Sequence, residues 1–240
     1  MSRIAVISDI HGNLPALEAV IADAEGRGCD RFLNLGDCVS GPLWPAETAD
    51  LLIARDWPTI AGNHERQLLG SRATMGASDG FARDRLTDRH IRWIATLPPT
   101  LVVEDTFLCH GTPDSDVTHL LHRVDFGGLH AAEDAQIKQA LTGTMQSIVL
   151  CGHSHVPATR RLSNGRIAAN PGSVGLQAFV DDRPFDYVVD PGNPDARYAI
   201  VEDGEVTLLA LRYDHAAAAR KARAEGFEHW AGWLETGQAT

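Results

Sequence analysis

At 240 residues the chain is long enough to bury a large core without disulfide support, and it fits one domain spanning residues 1–240. Its formal net charge of −11, with no basic stretch to offset it, argues against general nucleic-acid binding and against an electrostatic hold on anionic lipid. The opening Met1-Ser2-Arg3-Ile4-Ala5-Val6-Ile7 has an apolar run too short for a signal peptide, and no run approaches a membrane span, so the expected location is the cytoplasm.

Residues 4–8 form a short apolar run that reads as a buried strand. Asn13 can cap a following helix, with Pro15 in its first turn, and Leu14, Leu17, Val20, Ile21 and Ala24 give that helix one apolar face before Gly26 and Gly28 end it. Residues 32–35 read as a second strand, 47–54 as a helix and 59–61 as a third strand. That βαβαβ order predicts a parallel sheet with helices on its faces. Residues 81–97 read as one helix with Ile91, Ile94 and Leu97 on one side, stopped by Pro98-Pro99. Residues 101–103 and 106–109 make a strand pair, 114–128 a polar surface excursion near the site, 131–141 a helix and 147–151 another buried strand. Residues 159–162 and 167–169 flank the turn Ser163-Asn164-Gly165-Arg166, and 198–202 and 206–213 flank Asp203-Gly204, so two hairpins are expected. Residues 181–195, rich in Asp and Pro, read as a loop, and 214–225 and 227–234 as closing helices. The early alternation and the later hairpins together predict two packed sheets with helices outside.

Five short motifs stand where these strands run into loops: Asp9-Ile10-His11, Gly36-Asp37, Gly62-Asn63-His64-Glu65, His110-Gly111 and Gly152-His153-Ser154-His155. Open α/β sheets hold ligands at such carboxyl ends, and the glycines permit tight turns and close backbone approach. In both His-containing i, i+2 pairs the two side chains leave on one face if strand geometry persists. Asp37 has two oxygens and can bridge two cations; Asn63 offers a neutral carbonyl; His64 is free to face substrate as a general acid or charge stabiliser. Singly, Asp9 and Asn63 read as helix caps, Asp37 as a turn former and His110 as a structural histidine. Jointly, Asp9, His11, Asp37, Asn63, His110, His153 and His155 complete a set for two divalent metal ions sharing one carboxylate, a centre suited to hydrolysis at phosphorus. The donors suit Mn, Fe, Zn, Ni or Co, with Mn favoured.

Cys29, Cys38, Cys109 and Cys151 form no paired motif and read as free thiols in a reducing compartment. Strand alternation places Cys38, Cys109 and Cys151 behind the site. Asn13, Asp116, His119, His122 and Arg123 could approach the site from the loops, though each reads first as ordinary surface polarity. His90, His130, His215 and His229 fit no motif and read as surface or packing residues. Trp230 and Trp233, spaced i, i+3 on the last helix, are expected to pack on their own domain, with a homodimer contact as the second reading.

The order of these motifs resembles the calcineurin-like metallophosphoesterase superfamily over residues 9 to 155, and Asn170-Pro171-Gly172-Ser173-Val174-Gly175 is similar to its small bacterial phosphodiesterase branch. The resemblance implies an α/β fold, a four-layer αββα sandwich of two mixed β-sheets flanked by helices. It implies one metal at Asp9, His11 and His155, another at Asn63, His110 and His153, and Asp37 bridging them. A bridging water or hydroxide would attack phosphorus in line, and His64 would protonate the leaving oxygen or stabilise the transition state. Serine/threonine protein phosphatases of this superfamily carry Asp-Arg-Gly shortly after the bridging Asp, and the dinucleoside tetraphosphatase branch also tends to carry that Arg. Here Asp37-Cys38-Val39-Ser40-Gly41-Pro42 lacks it. The expectation is therefore a metal-dependent phosphodiesterase of small phosphate esters, with His64 and Asn13 contacting substrate. A phosphomonoesterase acting on nucleotides or phosphoproteins is the alternative, and a non-catalytic metal-binding scaffold is third.

Overall fold

The computed structural model describes residues 3–239. Every side chain of β1 (Ile4–Ile7) is apolar and buried, the pattern of a strand covered on both faces. Next come α1 (Leu14–Gly26), β2 (Arg31–Asn34), α2 (Pro45–Arg55), α3 (Asn63–Leu68), α4 (Ala77–Arg83) and α5 (Asp88–Ile94). The middle of the chain forms β3 (Thr100–Val103), β4 (Thr106–Cys109), β5 (His122–Asp125), β6 (Gly128–Ala131), α6 (Asp134–Ala140), β7 (Ile148–Leu150), β8 (Ala158–Arg161) and β9 (Ile167–Asn170). It closes with β10 (Phe179–Asp181), β11 (Tyr187–Val189), β12 (Ala196–Glu202), β13 (Glu205–Leu211), α7 (His215–Ala224) and α8 (Glu228–Thr236). No helix of the described residues is long and apolar enough to cross a membrane.

Two mixed sheets carry the fold. One has the order β13-β12-β1-β2, with β1 and β2 parallel and the other pairs antiparallel. The other has the order β3-β4-β7-β9-β8, with β4, β7 and β9 parallel. Ile4, Val6, Leu33 and Ala199 of the first sheet meet Leu108, Ile148, Leu150 and Ala169 of the second in one buried cluster. The alternate residues Ala5 and Ile7 turn the other way, onto Leu17, Val20 and Ile21 of α1. Behind the second sheet, Val149 and Ala168 pack on Ile137 of α6. These three clusters stack helix, sheet, sheet and helix as the αββα sandwich expected from the resemblance.

Four readings of the sequence change. Residues 59–61 are not a strand: the chain makes one bridge, Asn34 to Thr59, and then leaves the sheet when the Ala61 N–H bonds the Pro98 carbonyl. The helix expected over 81–97 is two helices, because Thr87 caps a new start and its N–H is taken by His90 Nδ1. The 114–128 excursion ends in the hairpin β5–β6, and the 181–195 loop contains most of the hairpin β10–β11. Both hairpins are short and carry charged residues, so neither shows the apolar alternation by which strands are recognised.

Candidate metal centre

Four of the five motif loops leave strands at one end of the sheets, and the fifth, at Asn63, joins them from a helix start. Asp9 and His11 follow β1, Asp37 follows β2, His110 follows β4, and His153 and His155 follow β7, while Asn63 opens α3. Backbone bonds stitch the loops together: Asp9 N to Gly36 O, His11 N to Asp37 O, Gly152 N to His110 O and Gly175 N to Asp9 O. Gly175 is needed at that crossing, since a Cβ there would stand 1.8 Å from the Ile10 carbonyl oxygen. The expected strand geometry does not persist through the donors. Asp9, His11, Asp37, His153 and His155 all adopt positive φ, at 54°, 52°, 54°, 67° and 56°. Asp and His are among the few non-glycine residues that visit this region, and strain of this kind gathers at functional sites.

Two trios result. Asp9, His11 and His155 bring donor atoms within 4.8 Å of one another, and Asp37, His110 and His153 do the same. In the first, His155 Nε2 lies 3.1 Å from His11 Nε2 and 3.3 Å from Asp9 Oδ1. In the second, His110 Nε2 lies 3.1 Å from Asp37 Oδ2 and 3.1 Å from the side-chain oxygen of Asn63, which joins that trio. Asp9 Oδ1 is also 3.8 Å from His110 Nε2, so the two groups adjoin.

The donor chemistry fits divalent cations. His11 Nδ1–H donates to the Ser40 carbonyl at 2.8 Å, and His110 Nδ1–H donates to the Leu35 carbonyl at 2.7 Å. Each bond occupies Nδ1 and turns Nε2 inward, the orientation metal-bound imidazoles adopt. Asp9 Oδ1 is buried with no hydrogen-bond partner. A buried carboxylate oxygen without a partner is costly, and a cation among these donors would meet it.

The charges follow. Burial opposes ionisation of Asp9, but His155 and His110 overcome it and pull its carboxyl down to about 2. Burial disfavours a charged His110, yet Asp37 and Asp9 raise it to about 10. Burial, with neighbouring imidazoles, lowers His11 and His153 to about 4. Cys38, Cys109 and Cys151 are buried, their thiols pushed up by that burial, and none enters either trio.

His64 stands at the cavity edge. Its Nδ1 meets Asp79 Oδ1 at 2.7 Å, and its Nε2 lies 4.0 Å from Asp37 Oδ2. Burial works against its charge, but Asp37 and Asp79 raise it to about 9. Asp79, on α4, also accepts from the Ser40 hydroxyl at 2.6 Å. Sequence reasoning missed Asp79, whose only sequence signal is an acid early in a helix. Asn13 is a correction: it is fully buried, its amide donates to Gly175 O and the Tyr213 hydroxyl, and its oxygen caps α1 at Ala16. It braces the site instead of lining it.

Beside the trios lies a cavity of about 910 Å³. His119, His122 and Arg123 line it and are more than surface polarity, whereas Asp116 turns away to a bidentate pair with Arg66. His90 is a packing residue bonded to Asp50 and Thr87. Trp230 and Trp233 pack on α7, and both also border the cavity.

Known proteins share this frame. An uncharacterized protein of Methanocaldococcus jannaschii is 24% identical over 253 residues, covering 96% of each chain. The crystal structure of a metallophosphoesterase from Sphaerobacter thermophilus matches with a TM-score of 0.78 at 26% identity, over 98% of this chain and 99% of that one. A hypothetical protein from Pyrococcus horikoshii OT3 shares the fold over the whole of both chains, with a TM-score of 0.76 at 18% identity. The family model described as the calcineurin-like phosphoesterase superfamily domain matches residues 2–189. That stretch carries every loop of the two trios, and the chain belongs to the calcineurin-like phosphoesterase superfamily as a phosphoester hydrolase.

Proposed function

We propose that the chain is a phosphodiesterase working with two divalent metal ions, Mn favoured. One would be held by Asp9, His11 and His155, the other by Asn63, His110 and His153, with Asp37 shared. The carrying observation is the pair of adjoining donor trios, linked by an Asp9 oxygen 3.3 Å from one imidazole and 3.8 Å from the next. When bound, such ions lower the pKa of water and offset charge on phosphoryl oxygens. The protein's own residues supply orientation and a proton. His64, held by Asp79, keeps its Nε2–H toward the cavity and can donate it to the leaving oxygen.

Charge favours a diester over a monoester. A diester brings one negative charge and a monoester close to two, and no Arg follows Asp37 to meet the second. The arginines bordering the cavity, Arg123 and Arg183, stand on or between the strands of the two hairpins. The natural setting proposed is the cytoplasm, in keeping with four free, buried thiols. The test is hydrolysis of bis-para-nitrophenyl phosphate and para-nitrophenyl phosphate by metal-stripped protein, with Mn, Ni, Zn, Co and Mg added back in turn. Metal-restored cleavage that favours the diester supports the reading; a large preference for the monoester overturns it.

A further inference from the structure

The two trios have different borders. Around Asp37, His110 and His153 the neighbours are polar: His64 on Asp79, and His119 stacked 4.7 Å from His153 with its Nε2 3.1 Å from the Tyr187 hydroxyl. Around Asp9, His11 and His155, His64 again stands close, its ring centroid 5.3 Å from that of His11, but two carbon-faced rings join it. Trp230 of α8 meets His11 edge-on, with ring centroids 5.9 Å apart at 76°. Phe179 of β10 lies 4.6 Å from His155 at 60°. The two imidazoles are 5.0 Å apart, so both aromatic rings border one donor position.

The placement of Trp230 is built into the fold. Gly41 leaves room for it: a Cβ there would stand 3.1 Å from Trp230 Cζ3 and 2.3 Å from the His11 carbonyl oxygen. The α7–α8 hairpin that carries it is anchored by Leu43 and Leu176, and it lies beyond the stretch matched by the family model, residues 2–189. Rings that only filled a core would be fully covered. Trp230 and Phe179 are each half-buried, and each lines the cavity. At about 910 Å³ that cavity is far larger than a phosphoryl group, so it has space for an ester substituent.

Building on the phosphodiesterase reading, we propose that Trp230 and Phe179 are specificity-determining residues: they grip a planar aromatic group esterified to phosphorus, on the side of Asp9, His11 and His155. Flat rings stack and edge-pack with other aromatic rings with an advantage beyond the area they bury, and a saturated ring of similar size lacks it.

The test is calorimetric titration of the Mn-loaded protein with methyl phenyl phosphate and, separately, methyl cyclohexyl phosphate. Both carry the single charge of a diester and a ring of similar bulk, and they differ in flatness and π-face. The expected result is methyl phenyl phosphate binding about five- to tenfold tighter. Trp230→Leu and Phe179→Leu should each cut that preference to about twofold or less, with the count of two bound ions retained. Equal affinity in the wild type, failure of both diesters to bind, or a preference that survives both substitutions would overturn the proposal. So would loss of a metal ion in Trp230→Leu with no change in Phe179→Leu, which would make the indole a prop for His11. Two bound ions and diester turnover without any phenyl preference would sink this specificity alone; no diester turnover with any metal would sink the phosphodiesterase reading instead.

Discussion

At the scale of single residues, the site depends on backbone that most side chains avoid. Five of its donors hold φ between 52° and 67°, and the loop-to-loop hydrogen bonds hold them there. The side chains then divide their work. His11 and His110 give one ring nitrogen to a carbonyl and turn the other inward. His64 gives Nδ1 to Asp79 and lines the cavity. His64→Ala should lower kcat for a diester by about a hundredfold or more while two ions still bind. Asp79→Asn should lower it by about ten- to a hundredfold, because His64 would keep its place but lose its orienting carboxylate. Steady-state kinetics beside metal analysis checks both, and an Asp79→Asn protein with wild-type kcat would remove Asp79 from the account. The donors were legible in the sequence because each lies within a few residues of a glycine and, Asn63 apart, of a strand end. Asp79 was not, since it reaches His64 only after an intervening turn and helix start that no local pattern announces.

At the scale of elements, Glu65 ties the site together. Its carboxylate accepts from the backbone N–H groups of Asp37, Cys38 and Gly62, at 2.8, 2.9 and 2.8 Å. Burial and the nearby Asp37 raise its pKa, and those three bonds oppose the rise. The loop after β2 is thereby clamped to the start of α3. Glu65→Ala would leave three buried donors unpaired and should cost about 3 kcal/mol or more, read as a lower denaturant midpoint. Asn13→Ala removes the α1 cap and two further bonds and should cost about 1–2 kcal/mol, with metal stoichiometry unchanged. Denaturation and metal titration of that variant separate bracing from substrate contact: an unchanged midpoint with a raised KM would restore the contact role. Elements with a strong period were legible, α1 from its apolar face and β1 from its apolar run. The hairpins β5–β6 and β10–β11 were not, because strands of three or four residues with Arg, His and Asp among them carry no face pattern.

At the scale of the whole molecule, the sandwich explains why donors far apart in sequence meet. Each sheet delivers parallel strands to the same edge, and the inner cluster of Ile4, Val6, Leu108 and Leu150 locks the sheets in register. Asp9 and His155, 146 positions apart, thus come within 3.3 Å. The layered fold was foreseeable from strand and helix order together with the motif resemblance. The aromatic border was not, because Trp230 returns to His11 from the far end of the chain. A centre assembled only in the folded state links metal to stability. Mn at a hundredfold excess over its Kd should stabilise the fold by about 3 kcal/mol for each site, and chelation should reverse the gain in a thermal melt. A melting temperature indifferent to both treatments would count against bound ions.

The most direct measurement is the number of Mn ions bound per chain, by calorimetric titration of stripped protein and elemental analysis after dialysis. The account predicts two for the wild type and one each for His11→Ala and His110→Ala, since these histidines serve different trios. One ion or none in a folded wild-type protein would contradict it.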